Sequence, residues 1–296
     1  MTTFLEVLVN GVSIGMLYAL VALGFVMIFK ATRVVNFAHA SFIVFGAWVV
    51  AALSDDIGFW LALVVGLVAV AAIAVVVERV ILARIDIRDH STATIMTLAI
   101  NILLIAEITR QLEESVVPVD TPWGNAVLEI GGVHVPASRI ASMVAAVFVI
   151  AALSAMLMLS RWGLQMRATI QDPEAAALSG ITMSRVTVSA WVVAALLAVV
   201  AGIGMASYPT PGVSVATQAA AFKAFPAAII GGLDSFTGAI VGGILIGVAE
   251  ASVSTYGSHL EFLGKGLNDV VAYALMIAIL LWRPTGIFGS KELQRV

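Results

Sequence analysis

Residues 7–29 contain no charged side chain, and this one stretch decides what solvent the chain folds in. A helix rises about 1.5 Å per residue, so about 20 apolar residues cross the hydrocarbon of a bilayer. No water is present there to satisfy an unpaired amide, so such a run must close its own hydrogen bonds as a helix. The pattern recurs. Residues 59–77 carry no charge, and 37 residues run from Val186 before the next charge at Lys223. Of 296 residues, 61% are hydrophobic and 11% charged, against roughly a quarter charged in a soluble domain. The chain reads as an all-α polytopic membrane protein. The first run is too long for a signal-peptide core and has no basic segment before it, so it reads as a retained span.

Spans are expected at about 6–29, 36–54, 58–77, 91–110, 139–160, 186–207, 236–254 and 267–283. The C-terminal third is interrupted. Pro209, Pro211 and Gly212 break the run after Val186, Pro226 lies inside an apolar stretch, and Gly231-Gly232 precedes Asp234. Short, Gly/Pro-interrupted apolar segments point to a transport site, because broken helices aim their ends at a solute. The expectation is a bundle of about eight or nine transmembrane helices, with broken or re-entrant segments in that third. Gly11 and Gly15 in the first span, and the pairs Gly238/Gly242 and Gly243/Gly247 in a later one, mark close helix packing within the bundle or across a dimer axis.

Basic residues set the orientation. Lys30 and Arg33, then Arg79, Arg84 and Arg88, then Arg161, Arg167 and Arg185, place 30–33, 79–90, 161–185 and 283–296 on the inside. Residues 54–57 and 111–138 carry Asp55, Asp56, Glu113, Glu114, Asp120 and Glu129 without Lys or Arg, and face outward. The N-terminus is then external and the C-terminus cytoplasmic. Within the outer loop, VLEIGGVHVP alternates around Gly131-Gly132 as a small hairpin.

The inner loop 161–185 carries its own helix signal. Asp172 stands at N-cap, Pro173 at the first helical position, Glu174 in the first turn, and Gly180 where the helix should stop. A short capped helix across a membrane face is a surface on which another protein can push.

Several stretches together carry a resemblance. GMLYALVALGFVMIF with RVVNFAHA, ERVILARI, RATIQDPEAAALSGI, FKAFPAAIIGGLDSFTGAIVGGILIGVAEA and the closing RPTGIFG resemble, in order, the membrane permeases of branched-chain amino acid ABC importers (the LivH-type family). That family also includes urea and short-chain amide permeases. Ala40 and Asp234 depart from positions where glycine is frequent in the family. The resemblance implies a single transmembrane permease domain, 1–296, in the inner (cytoplasmic) membrane and in contact with lipid, and no enzyme. It implies a second permease, identical or homologous, an external solute-binding protein, and two ATP-binding subunits. ATP and Mg would be bound by those subunits, leaving this chain without a cofactor. Glu174, Ala175, Ala176 and Gly180 match the EAA-xxx-G pattern of ATPase-docking helices, with small residues that fit a cleft and one acceptor on Glu174, and Asp172 and Pro173 open the same coupling helix.

The substrate path is expected to draw on Asn36, Phe37, His39, Lys223, Pro226 and Asp234, because polar or charged groups in apolar segments are costly and point to function. Each also has a plainer reading. Asn36 and His39 can hold the entry of the second span, Phe37 can pack, Lys223 can snorkel, and Asp234 can occupy a surface turn. Glu250 stands near a helix end. Glu107 and Arg110 suit an i,i+3 pair at the outer interface. An ion-coupled carrier would have to work from Glu107, Asp234 and Glu250 and would leave 161–185 without a purpose. A membrane enzyme would need a motif the chain lacks, since it has no HExxH and no cysteine. No basic run suggests nucleic acid, and the net charge is −3.

Overall fold

The computed structural model describes residues 2–85, 89–112, 115–124, 126–130, 133–207, 212–257 and 266–289. Eleven α-helices are described: α1 Thr2–Thr32, α2 Ala38–Ile57, α3 Phe59–Val76, α4 His90–Leu112, α5 Ala137–Leu159, α6 Arg161–Gln171, α7 Pro173–Leu178, α8 Met183–Ser207, α9 Val215–Gly231, α10 Phe236–Tyr256 and α11 Leu267–Trp282. Among the described residues, seven spans are long and apolar enough to cross a membrane, on α1–α5, α8 and α10. The last apolar helix, α11, is shorter.

Helix α1 runs through the middle, with 78% of its span buried, and packs on α10, α8, α9 and α5. Two glycine-lined faces of α10 explain its closest neighbours. A Cβ added at Gly11 would stand 2.6 Å from the Val248 backbone, and one at Gly15 2.7 Å from that of Ile244. Gly243 and Gly247 meet the Ala19 and Gly15 backbones from the other side. Gly238 and Gly242 face α9 instead, against Gly231 and Ala227. All six expected packing glycines therefore work inside one chain. Without a hydrophobic drive between helices in lipid, this backbone-to-backbone approach is what gains van der Waals contact.

Three features differ from the sequence reading. Helix α3 does not end at 77 but continues through a π-turn, Val77–Ile81, and a 3-10 turn, Leu82–Arg84. Residues 161–171 form a helix of their own, α6, ahead of the expected one. Pro226 lies inside α9 without ending it. The expected break at Gly231-Gly232 is where α9 does end, at Gly232, whose φ of +100° only glycine adopts without strain. Strands β1 Val127–Ile130 and β2 Val133–Pro136 pair antiparallel as the expected hairpin. The hairpin's Gly131-Gly132, the breaks at Pro209 and Pro211, and Arg88, Glu113, Glu114 and residues 290–296 lie outside the described residues.

Two ends of the bundle are defined by contacts between connections. At one, Lys30 Nζ donates to the Asp234 carbonyl at 2.5 Å, and the Ile287 and Phe288 amides donate to the carbonyls of Ile230 and Gly231. At the other, Val117 and Val213 form an antiparallel bridge, and Arg139 at the start of α5 donates to Asn10 of α1. The first is the Lys30 end of the bundle and the second the hairpin end.

Candidate functional site

A cavity of about 290 Å³ lies between α1, α8, α9, α10 and α11 on the hairpin side. Its walls are mixed. Ile14, Leu17, Met205 and Ala251 are apolar; Asn10, Thr217, Asn268 and Ser254 are polar; Lys223 and Glu250 are charged. Lys223 Nζ is 3.3 Å from Glu250 Oε1 and 2.8 Å from Asp269 Oδ1. Tyr18 donates to Glu250 Oε2 at 2.6 Å. The Glu250 side chain is 11% exposed, that of Lys223 20%, and that of Asp269 76%. Removing one partner of a buried pair strands the other charge, at a cost of about 3–5 kcal/mol.

Of the six expected path residues, only Lys223 lines this cavity. It does not snorkel to an interface; it is held by carboxylates on two other helices. Asn36 is fully buried and acts on the backbone, its Oδ1 accepting from the Ala38 amide at 3.0 Å where α2 begins. Arg33, at φ 57°, turns the chain after α1. Thr97 of α4 then receives the Phe37 amide at 3.1 Å and donates to the Val35 carbonyl. His39 is fully buried beside Gly24, where a Cβ would strike the imidazole. Its ring meets Phe25 edge-on at 4.9 Å. Phe25 in turn meets Phe225 at 5.2 Å, and Phe225 meets Phe37 at 5.6 Å. These four rings form a layer toward the Lys30 end, with buried Pro226 next to Phe225. Phe25 stands seven residues past Tyr18 on α1, about 10 Å along the axis. Asp234 sits in the turn between α9 and α10, far from the cavity, with Lys30 on its carbonyl.

Glu250, Tyr18, Asp269 and Phe225 were not among the expected site residues. Glu250 read as a helix-end charge, but α10 continues to Tyr256 and places it well inside. A usable signal existed: single charges of opposite sign stand in consecutive apolar helices, and buried charges in membranes pair with one another. Glu107 and Arg110 do form the expected i,i+3 pair, bidentate at 2.8 and 2.6 Å and exposed.

The second feature is the 161–185 segment. Ser160 caps α6 by accepting from the Gly163 amide at 3.0 Å. Gly163, Met166 and Thr169 form its buried stripe. Trp162 donates to Ser189 of α8 at 2.6 Å, and Arg167 donates to the Leu157 carbonyl, so α6 is fastened to α5 and α8. Helix α7 then stands free. Asp172 Oδ1 accepts from the Ala175 amide at 3.0 Å, Pro173 opens the helix, and Gly180 at φ +83° closes it. The Gly180 and Ile181 amides donate to the carbonyls of Ala177 and Ala176, the two bonds of a Schellman stop. Ala176 is the buried residue of α7; Glu174 and Ala175 are exposed, and Leu178 is 91% exposed. Helix α7 is thus capped at both ends and offers a bare leucine.

The chain matches the family described as branched-chain amino acid transport system / permease component over residues 7–280. It is 32% identical over 310 residues to the high-affinity branched-chain amino acid transport system permease protein LivH of Escherichia coli (strain K12), covering 99% of this chain and 98% of that one. The permease protein BraD of Pseudomonas aeruginosa, named for the same transport system, is 32% identical over 311 residues, with the same coverage. Among solved structures, a chain of PsaBC from Streptococcus pneumoniae in complex with Fab aligns at a TM-score of 0.48 and 17% identity, covering 92% of this chain and 90% of that one.

Proposed function

Because the chain belongs to the branched-chain amino acid transport permease family, we propose that it is the membrane half of an ABC importer that moves branched-chain or related amino acids inward. It is a multi-pass membrane transporter component and not an enzyme. An external binding protein delivers the solute, a second permease completes the path, and two ATP-binding subunits supply the work. ATP and Mg belong to those subunits. The single transmembrane domain spans the chain, with α9 and α11 completing nine passes. The Lys30 end is cytoplasmic, the hairpin end external, and the C-terminus cytoplasmic.

The observation that carries this reading is α7. Its caps hold six residues rigid while nearly all of its surface stays bare, and α6 ties it to the ends of α5 and α8. A push on α7 is therefore delivered to two membrane helices rather than dissipated in a loop. The four-ring layer beneath the cavity suits an outward-facing state closed on the inner side. Opening it means parting α2 from α9, and ATP shifts that balance only through different affinities of the ATPases for the two arrangements.

The test is uptake by the complete importer in proteoliposomes. Glu174→Lys and Gly180→Trp should each lower ATP-driven uptake at least about tenfold, the loss expected at an interface hot spot, with the chain still assembled in the membrane. Full uptake by both variants overturns the coupling role. So does labelling of Ala177→Cys from the external face, a clean probe because the chain has no other cysteine. Transport by this chain alone without ATP would overturn the importer reading itself.

A further inference from the structure

We propose that Lys223 and Glu250 are the residues of this chain that read the two charges of a zwitterionic solute: Lys223 takes its carboxylate and Glu250 its ammonium. The inference rests on the importer reading and goes beyond it by naming where the solute is held. The pair is incompletely closed. Glu250 Oε2 is anchored by the Tyr18 hydroxyl, while Oε1 has no hydrogen-bond partner and lies 3.3 Å from Lys223 Nζ. Lys223 is shared with Asp269, whose side chain is 76% exposed. A solvent-facing ion partner is weakly held, so an incoming carboxylate can take its place without leaving the cation bare.

The chemistry of the ligand follows from the charge order. An α-amino acid carries both groups on one carbon. Inserted between the two side chains it gives glutamate, ammonium, carboxylate and lysine in sequence, every contact attractive. A lone carboxylate can engage only Lys223, where it adds to the negative charge of Glu250 and Asp269, and a lone amine can engage only Glu250, where it adds to the positive charge of Lys223; a zwitterion brings no net charge to the pair. A neutral amide offers no charge for either. The rest of the wall sets the side chain: Ile14, Leu17, Met205 and Ala251 receive an aliphatic group. A volume of about 290 Å³ sits at the small end of ligand pockets, about 300–1,000 Å³. Tyr18 is a positioning residue that holds the carboxylate of Glu250.

The experiment uses the complete importer with Thr255→Cys at the cavity rim as the sole cysteine of this chain. Leucine should slow alkylation of that thiol about tenfold at ten times its Kd. Isocaproate, which keeps only the carboxylate, and isoamylamine, which keeps only the ammonium, should protect far less. Lys223→Met and Glu250→Gln should each cut leucine uptake about tenfold or more, with Lys223→Arg restoring most of it. If either charge variant fails to assemble, the protection pattern on the otherwise native chain decides. Absence of protection by leucine, equal protection by either half-charged analogue, or normal uptake by both charge variants overturns the proposal. With wild-type uptake intact, those results leave the importer reading standing; if the wild-type complex takes up no amino acid, both fall.

Discussion

Helices α1 and α5 are almost equally apolar, yet 78% of the α1 span is buried and 22% of the α5 span. Helix α3 is more apolar than either and is 28% buried. In water, the more apolar helix goes inside. In a bilayer, lipid tails solvate leucine as well as another helix does, and burial follows the capacity for close packing instead. Helix α1 carries Gly11, Gly15 and Gly24; α5 carries no glycine and exposes Val144, Phe148 and Leu159. The inner helix is thus selected by what its side chains omit.

The largest effect should come from filling that omission. Gly247→Leu places a side chain against the Gly11 and Gly15 backbones, where no rotamer change can relieve the clash. The loss should exceed about 3 kcal/mol, the upper part of the usual overpacking range, and show as loss of monodisperse protein and a collapsed Tm in detergent. A stable Gly247→Leu chain would show that glycine contact does not decide which helix lies inside. Asn36→Ala should cost about 1 kcal/mol, the usual net worth of one lost side-chain hydrogen bond, and lower the Tm by a few degrees. No change there would mean that the Thr97 bonds alone hold the start of α2. Phe148→Leu on the outer face of α5 should stay within about 0.5 kcal/mol; a large shift would place α5 against a partner helix rather than lipid.

The spans expected at 6–29 through 186–207, and at 236–254 and 267–283, match helices to within a few residues because apolar length and flanking charge are local properties, whereas α9 lay between two expected spans, where Pro and Gly obscured the run. The α7 caps were legible for the same reason: Asp172, Pro173 and Gly180 act on the backbone beside them. The hairpin was read from simple alternation. Pro226 misled, because a proline inside a packed membrane helix can be accommodated by its neighbours. Helix α6 was overlooked, because its buried stripe is only three residues deep, with Met166 its one large apolar side chain, and the capped helix after it gave the stronger signal. Asn36, Phe37 and His39 were rightly singled out as unusual, but their polarity and rings are used on the backbone of α2, on Thr97 and within an aromatic layer rather than on the cavity wall.

By itself the sequence determined that this chain lives in a membrane, where most of its long apolar helices lie, and that a capped helix stands between α5 and α8. Each of those follows from residues within a turn or two of one another. Tertiary structure alone decided that Lys223 meets Glu250 and Asp269 across three helices, that Tyr18 reaches Glu250 from 232 positions away, and that the glycines of α1 and α10 seat each other. Such pairings depend on how helices rotate about their axes, and apolar helices in lipid have no amphipathic stripe to announce that rotation in advance.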